Sequence, residues 1–429
     1  MQSHHLPLPR LFRLIFFGAA VLLLAACGFG AQPTPTPEPV TLRYITFPGL
    51  AAAEDALIGG YRGLHPEINM AVEQYNQTPD AMLAQPPVPD IMLITPGWFL
   101  DRAIASGGLT DLTNLWQESG AAETLQPSLR DLSEREGKQY YLPVGYNWNG
   151  FYYNKAVFEQ YGLQPPATWD EFLQVCETLW MNGVVPLSMS GEDPFMGSLW
   201  LDYLDLRLNG PDVHRQLIAG EIPFTDPRIR TVFEQWAQLV EKGYFNSAAA
   251  TMGTQEALAA LVQKDNLLGA KPAMILSGPA FLGDLAPERR AELGFFPFPV
   301  MDAAQPSAEV VMAIGYMVPS AAPQRDAALD FAGYLASAKG RDVLTKDVVG
   351  GGLYAPAFAV ADPGTLSEQV RQGMALVSGT QTAATPFYMS VSPAMWPVLQ
   401  DMQRRILTEP GSAAGFDLDA LLAKLQAAR

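Results

Sequence analysis

The chain has 429 residues, of which 48% are hydrophobic and 17% charged, and its formal net charge is −17. That composition belongs to a globular chain too long for one typical core, so two packed bodies are expected. So acidic a surface repels polyanions over long range, which argues against nucleic acid as a partner and against a generally anionic ligand.

The first segment, MQSHHLPLPRLFRLIFFGAAVLLLAACG, has a basic start at Arg10 and Arg13 and an apolar stretch from Leu14 to Ala26. The stretch is short for a bilayer span and suits a secretory leader over 1–26. LAAC at Leu24 to Cys27 resembles the bacterial lipobox, in which Cys27 becomes the lipidated first residue of the mature chain. The other reading is an ordinary cleaved leader with Cys27 incidental. Two acyl chains on Cys27 would give a stable membrane anchor, where one would be marginal. Residues 27–39 then carry the lipidated cysteine and a proline-rich spacer, PTPTPEP, that favours an extended chain. Cys176 is the only other cysteine, so the mature chain forms no internal disulfide.

Val40 to Phe47 reads as a strand, and Glu54 to Leu64 as a helix with Ala53, Leu57 and Tyr61 spaced four apart. His65 opens a turn before a second strand, and Pro89 to Thr95 is a short apolar run bounded by breakers, as a buried parallel strand should be. Phe151 to Tyr153 is β-favouring, and Asn154 stands where a helix N-cap accepts N–H groups. Gly162 stops that helix and Pro165 and Pro166 hold the chain extended. Thr168 and Glu171 then form a capping box before Phe172, Val175, Cys176 and Leu179 on one helical face. Further on come an Ala-rich helical stretch, a strand and Gly-Pro turn in 271–285, an apolar run in 309–319, and two helices in 322–346. Strands alternating with helices predict an α/β protein with right-handed crossovers and mainly parallel central sheets flanked by helices.

The segment YYNKAVFEQYGLQPPATWDEF resembles the tyrosine-asparagine-lysine and threonine-tryptophan segments of the family 1 extracellular solute-binding proteins, the maltose-binding-protein-like substrate receptors of ABC importers. The resemblance implies a two-lobed, type II periplasmic-binding-protein-like fold with three interlobe crossings, near Asn149, Gly269 and Gly315. One lobe would comprise 40–148 and 270–314, the other 149–269 and 315–429. It also implies a receptor, not an enzyme, without a cofactor. Its partners would be a neutral sugar or oligosaccharide and the permease subunits of an ABC importer, and it would stand as a lipid-anchored monomer on the extracytoplasmic face of the cell membrane.

Neutral sugars require aromatic rings over their C–H faces and planar polar groups for their hydroxyls, all lining a cleft. Trp98 meets that need after the PDIMLITPG strand and its Gly97 turn; packing on the next helix is the alternative. Alignment to the family motif marks Asn147, flanked by Tyr146 and Trp148, as a polar ligand position, with turn chemistry and a packed ring as the other reading. The GEDPF segment resembles an acid-proline-aromatic motif, which marks Asp193 as hydroxyl acceptor, Glu192 as its replacement one residue earlier, and Phe195 as a stacking ring. Asp-Pro is also an ordinary turn former. SPAMWPVLQDM points in the same way to Trp396, with Pro397 in the first turn of a helix. Phe281 follows Ala280, which stands where the family has a tryptophan, and Tyr316 and Tyr354 flank glycine-rich turns.

Signs of catalysis are sparse. After removal of 1–26 only His65 and His214 are left, neither with a visible serine or cysteine partner, and no histidine cluster has metal-ligand spacing. Two other functions stay open on the sequence: an exported glycan-active hydrolase on a lipid tether, built on a carboxylate pair, and the same binding fold holding a quaternary amine or glycerol phosphate.

Overall fold

The computed structural model describes residues 39–47, 51–262, 271–279, 282, 285–344, 354–359, 362–366, 368–409 and 417–429. Cys27, the leader, the Gly269 crossing and Phe281 lie outside the described residues.

Strands form where apolar runs can be covered on both faces. β1 (Val40–Thr46) leads through α1 (Ala51–Arg62) to β2 (Ile68–Gln74) and then to β3 (Ile91–Ile94), whose four residues are all buried. β3 runs parallel to β1, with Tyr44 opposite Ile91 and Ile45 opposite Met92. α2 (Trp98–Ala105) and a small hairpin of β4 (Glu134–Arg135) and β5 (Lys138–Gln139) follow. β6 (Leu142–Trp148) is buried at every position, and only Asn149 separates it from β7 (Gly150–Asn154). Across that one residue the chain leaves one sheet and enters another.

The second sheet carries the most legible local signals. Asn154 caps α3 (Lys155–Gln160) by accepting from Val157 N at 3.2 Å. Thr168 and Glu171 close both halves of the capping box on α4 (Trp169–Met181), and Phe172, Val175, Cys176 and Leu179 are buried beneath it. Burial holds the Cys176 thiol protonated well above its usual range. β8 (Leu187–Ser188) leads into α5 (Pro194–Leu208), a helix whose residues from Met196 to Arg207 are all buried, with α6 (Gly210–Ala219) and α7 (Pro227–Glu241) packed around it.

β9 (Met274–Ser277) and β10 (Leu293–Phe296) both run antiparallel to β7, in the order β10-β7-β9-β8. β11 (Ala308–Met317) instead returns to the first sheet between β3 and β6, antiparallel to both. α8 (Arg325–Ala336), β12 (Ala355–Pro356), α9 (Glu368–Ser378) and β13 (Thr382–Ala384) stay with that sheet, which is ordered β12-β6-β11-β3-β1-β2 with β13 on β11. The chain ends in α10 (Phe387–Ser390), α11 (Trp396–Thr408) and α12 (Leu418–Ala428), packed on the core of the second sheet. Among the described residues no helix is long and apolar enough to cross a membrane.

The α/β architecture agrees with expectation, but the sheets are mixed instead of mainly parallel. β7 and β11 are reached from the other sheet, and that return inserts each against its neighbours. The segment boundaries also change. β9 and β10 pair in the second sheet although 270–314 was expected with the first lobe, and 315–317 of β11, β12 and β13 pair in the first sheet although 315–429 was expected with the second. Gly315 is no crossing: a Cβ there would overlap the backbone of Leu142 and Pro143, so glycine serves the close approach of β11 to β6 at a bulge. The passages between sheets are Asn149, residues 297–307, and residues 385–386.

Candidate functional site

The 385–386 passage delivers a short aromatic segment. Tyr388 on α10 stacks on Trp396 with ring centroids 4.7 Å apart and 22° between planes, and Phe195 meets Tyr388 edge-on at 6.3 Å. Trp396 is the first residue of α11, followed by Pro397, so the expected helix start is where the indole sits. All three rings are half-buried and pack against the core of the second sheet. Asp193 stands beside them as the N-cap of α5: one oxygen accepts from Phe195 N at 3.0 Å, the other from Thr254 Oγ1 at 2.8 Å. Burial first, and the Asp193 charge second, push the Tyr388 phenol upward. Asp193 is therefore a structural cap as well as an acid near the rings, because a residue before proline at a helix start is held where its carboxylate faces the first N–H groups.

From the first sheet, Trp98 opens α2 directly after Gly97, which has φ 142°. A Cβ on Gly97 would overlap the carbonyl oxygen of Met389, the neighbour of Tyr388 on α10. That contact brings the Trp98 turn and the Tyr388–Trp396 stack to the same seam. The Trp98 ring is half-buried, edge-on to Phe99 at 4.9 Å and covered on one face by the Arg102 guanidinium at 4.8 Å.

The remaining candidates divide by partner. Asn147 is 3% exposed and its Oδ1 has no hydrogen-bond partner; the same holds for Oδ1 of Asn149, whose Nδ2 donates to Val310 O at 3.0 Å. Two unsatisfied amide oxygens thus sit at the first passage, where a buried acceptor without a donor costs about 1–3 kcal/mol. Tyr146 and Trp148, expected to flank Asn147 at a ligand, are both fully buried. Strand alternation turns them to the opposite face from Asn147, where Gln126 Nε2 donates to the Tyr146 hydroxyl at 2.8 Å and Gly373 lies against the Trp148 ring.

Tyr316 is likewise a core residue, 2% exposed and hydrogen-bonded to the Tyr44 hydroxyl at 3.1 Å, while Tyr44 donates to Glu54 at 2.8 Å. Glycine beside it reflects strand packing and not an open turn. Tyr354 lies over Gly145 of β6, half-buried in the first sheet. Glu192 is exposed and pairs with Arg404 at 3.5 Å, so it faces α11 and solvent. Tyr388 was not among the sequence candidates. Its only signal is position: an aromatic pair between TP and SP dipeptides, in a segment too short for periodicity.

Among the described residues no group of three or more His, Cys, Asp or Glu side chains is arranged to hold a metal ion. His65 pairs with Glu67 and Asp330, and His214 is buried between two aspartates. What the seam offers is aromatic faces and a carboxylate, and the first passage adds two unsatisfied amide oxygens; both are groups suited to polyhydroxylated neutral molecules.

The family model for bacterial extracellular solute-binding proteins matches residues 47–342. An uncharacterized ABC transporter extracellular-binding protein of Pyrococcus horikoshii is 26% identical over 263 residues, covering 56% of this chain and 59% of that relative. The chain therefore matches about three fifths of that relative's length. The melibiose/raffinose/stachyose-binding protein MelE of Bacillus subtilis is 23% identical over 307 residues, 67% of each. Of solved structures, the bacterial solute receptor AcbH, described as preferring b-D-galactopyranose exclusively, superposes with a TM-score of 0.78 at 20% identity, over 91% of this chain and 98% of that one. The structural likeness is one of fold, and it agrees with the α/β architecture found above. Because the family model spans well over half of the chain, this protein belongs to the bacterial extracellular solute-binding proteins.

Proposed function

We propose that the chain is the extracytoplasmic substrate receptor of an ABC importer, binding a neutral sugar or oligosaccharide without turning it over. The observation that supports the reading is the Gly97–Met389 contact, in which the turn before Trp98 on one sheet's body meets the residue after Tyr388 on the other's. A ligand held there touches both bodies, and only such a ligand can favour a closed arrangement over an open one. Tyr388, Trp396, Phe195 and Trp98 supply the stacking faces, Asp193 accepts from hydroxyls, and Asn147 uses its unsatisfied amide oxygen in the same way. The names of relatives support a sugar: MelE is a melibiose, raffinose and stachyose binder.

In this reading the two lobes are the bodies of the two sheets, hinged at Asn149, 297–307 and 385–386. Cys27 carries the lipid anchor, residues 28–39 are the spacer, and a monomer docks on the permease. A thermal-shift screen with galactosides, xylo- and chito-oligosaccharides, betaines and phosphate esters tests the ligand class, since a ligand that binds only the folded state raises the melting temperature. A sugar that raises the melting temperature and saturates by calorimetry without product supports the proposal. A shift with a betaine or phosphate ester alone, or release of a hydrolysed sugar, overturns it.

A further inference from the structure

Behind the aromatic wall lies a charged cluster that takes no part in it. Asp202 and Asp205 on α5 are fully buried, and His214 on α6 is 1% exposed. Nδ1 of His214 is 2.9 Å from Oδ2 of Asp205, a distance at which its N–H donates to the carboxylate, and Nε2 lies 3.4 Å from Oδ1 of Asp202. Asn209 Nδ2 donates to the other oxygen of Asp205 at 2.7 Å. Asp202 turns the opposite way and accepts the backbone N–H of Phe387 on both oxygens, at 3.0 and 3.2 Å. Phe387 is the first residue of α10, just after the 385–386 passage, and the next two residues are Tyr388 and Met389. One buried carboxylate therefore holds the point where the chain enters the second body, and the held segment carries both the ring under Trp396 and the carbonyl against Gly97.

We propose that Asp202 is a positioning residue for the ligand wall: backed by His214 and Asp205, its carboxylate fixes Phe387 and so Tyr388, and a proton taken up by the cluster loosens that hold. The inference rests on the reading of the Tyr388–Trp396 stack as a ligand wall. An ionised carboxylate accepts an N–H roughly twice as strongly as a neutral acid does. Burial pushes the Asp202 carboxyl up to about 7, against the opposing pull of His214 and the Phe387 N–H, so the change falls near neutral pH. His214 is itself raised, the nearby Asp205 and Asp202 outweighing its burial. The charged groups facing the cluster are few. Arg228 at the start of α7 couples to Asp205, and Arg207 on α5 is engaged with Glu309. Arg429 at the end of α12 covers Phe224, which packs edge-on against Phe387 at 5.7 Å. α10 meets Asp202 with a backbone N–H alone.

The test uses the full mature chain and reads hydrogen-exchange protection of 387–390, corrected for intrinsic exchange, between about pH 5 and pH 8, the range where such a group titrates. Affinity for a sugar found in the screen is measured in parallel. In the parent, protection and affinity should both fall about fivefold towards acid pH. D202N should sit at the weaker level throughout, with no pH dependence. H214Q removes the positive partner of Asp202, so the midpoint should move to higher pH; this variant decides the matter if D202N does not fold. Protection that is flat with pH in the parent, a D202N profile that follows the parent's, or an unmoved midpoint in H214Q overturns the proposal. If no sugar binds while protection follows the expected pattern, the sugar reading fails and the clamp stands. Sugar binding with flat protection does the reverse.

Discussion

Trp396 donates its indole N–H to the carbonyl oxygen of Tyr388 at 3.0 Å while stacking on the same residue's ring at 4.7 Å. A single neighbour thus fixes both the plane and the rotation of the indole before any ligand arrives. Preorganised rings lose little freedom on binding, which is why aromatic pairs serve as walls for sugars. Trp396→Ala removes the wall face and its support together. Affinity for the sugar should drop by about 1–3 kcal/mol, the range for a lost aromatic contact and its area. Calorimetry that finds the affinity unchanged would remove Trp396 from the site.

Gly97 matters for its backbone. With φ 142° and the Met389 carbonyl against it, alanine there is strained and displaces α10. Gly97→Ala should cost about 1–3 kcal/mol of stability by strain and weaken sugar binding beyond that of a neutral surface change. Urea unfolding and calorimetry on the same preparation separate the two effects, and a variant equal to the parent in both would sink the seam described here.

Arg207 and Glu309 form a buried ion pair at 2.6 Å beside the 297–307 passage, 8% and 5% exposed, with Arg207 also donating to Phe298 O at 3.3 Å and Tyr203 donating to Glu309 at 3.1 Å. Arg207→Met leaves the carboxylate buried and uncompensated, at a cost of about 3–5 kcal/mol. Burial already raises the Glu309 carboxyl and Arg207 opposes that rise, so in the variant the folded-state value climbs further above the unfolded one. The folded variant then takes up a proton more readily than the unfolded chain, and the loss should be full at neutral pH and shrink as pH falls. Denaturant midpoints across pH follow this directly.

The capping box on α4 holds a carboxyl shifted the opposite way, lowered instead of raised. Thr168→Ala should cost about 1 kcal/mol, because Glu171 N loses its acceptor. The Ala167 N–H first, then that of Thr168, hold the Glu171 carboxyl below its usual range, so its stabilisation is present above that range and fades as pH falls through the lowered value. Thermal melts of Glu171→Gln and the parent should converge at acid pH. A gap that persists there would contradict the assignment.

The local grammar from Asn149 to Trp180 was readable directly: the Asn154 cap, the Thr168–Glu171 box and the buried face through Cys176 and Leu179 all agree with the structure. Each depends on residues within one or two turns, and capping and period need no tertiary partner. The β1, β3 and β9 strands were legible from local sequence as well, while the run that forms β11 was readable only as apolar. Sheet membership was not. Whether 274–296 joins β7 or β6 depends on pairing across more than a hundred residues, and nothing in those apolar runs names the partner. The same limit governs the site. Trp396 at a helix start could be read from Pro397, but Tyr146, Trp148 and Tyr316 look like any cleft aromatic until packing on the faces of the sheet buries them. Tyr388, and the Asp202–His214–Asp205 cluster behind it, exist as a unit only because α5, α6 and α10 converge. Propensity, capping and strand period act between near neighbours and are written in the chain; partner choice, burial and shared protons act through space, and only the folded packing decides them.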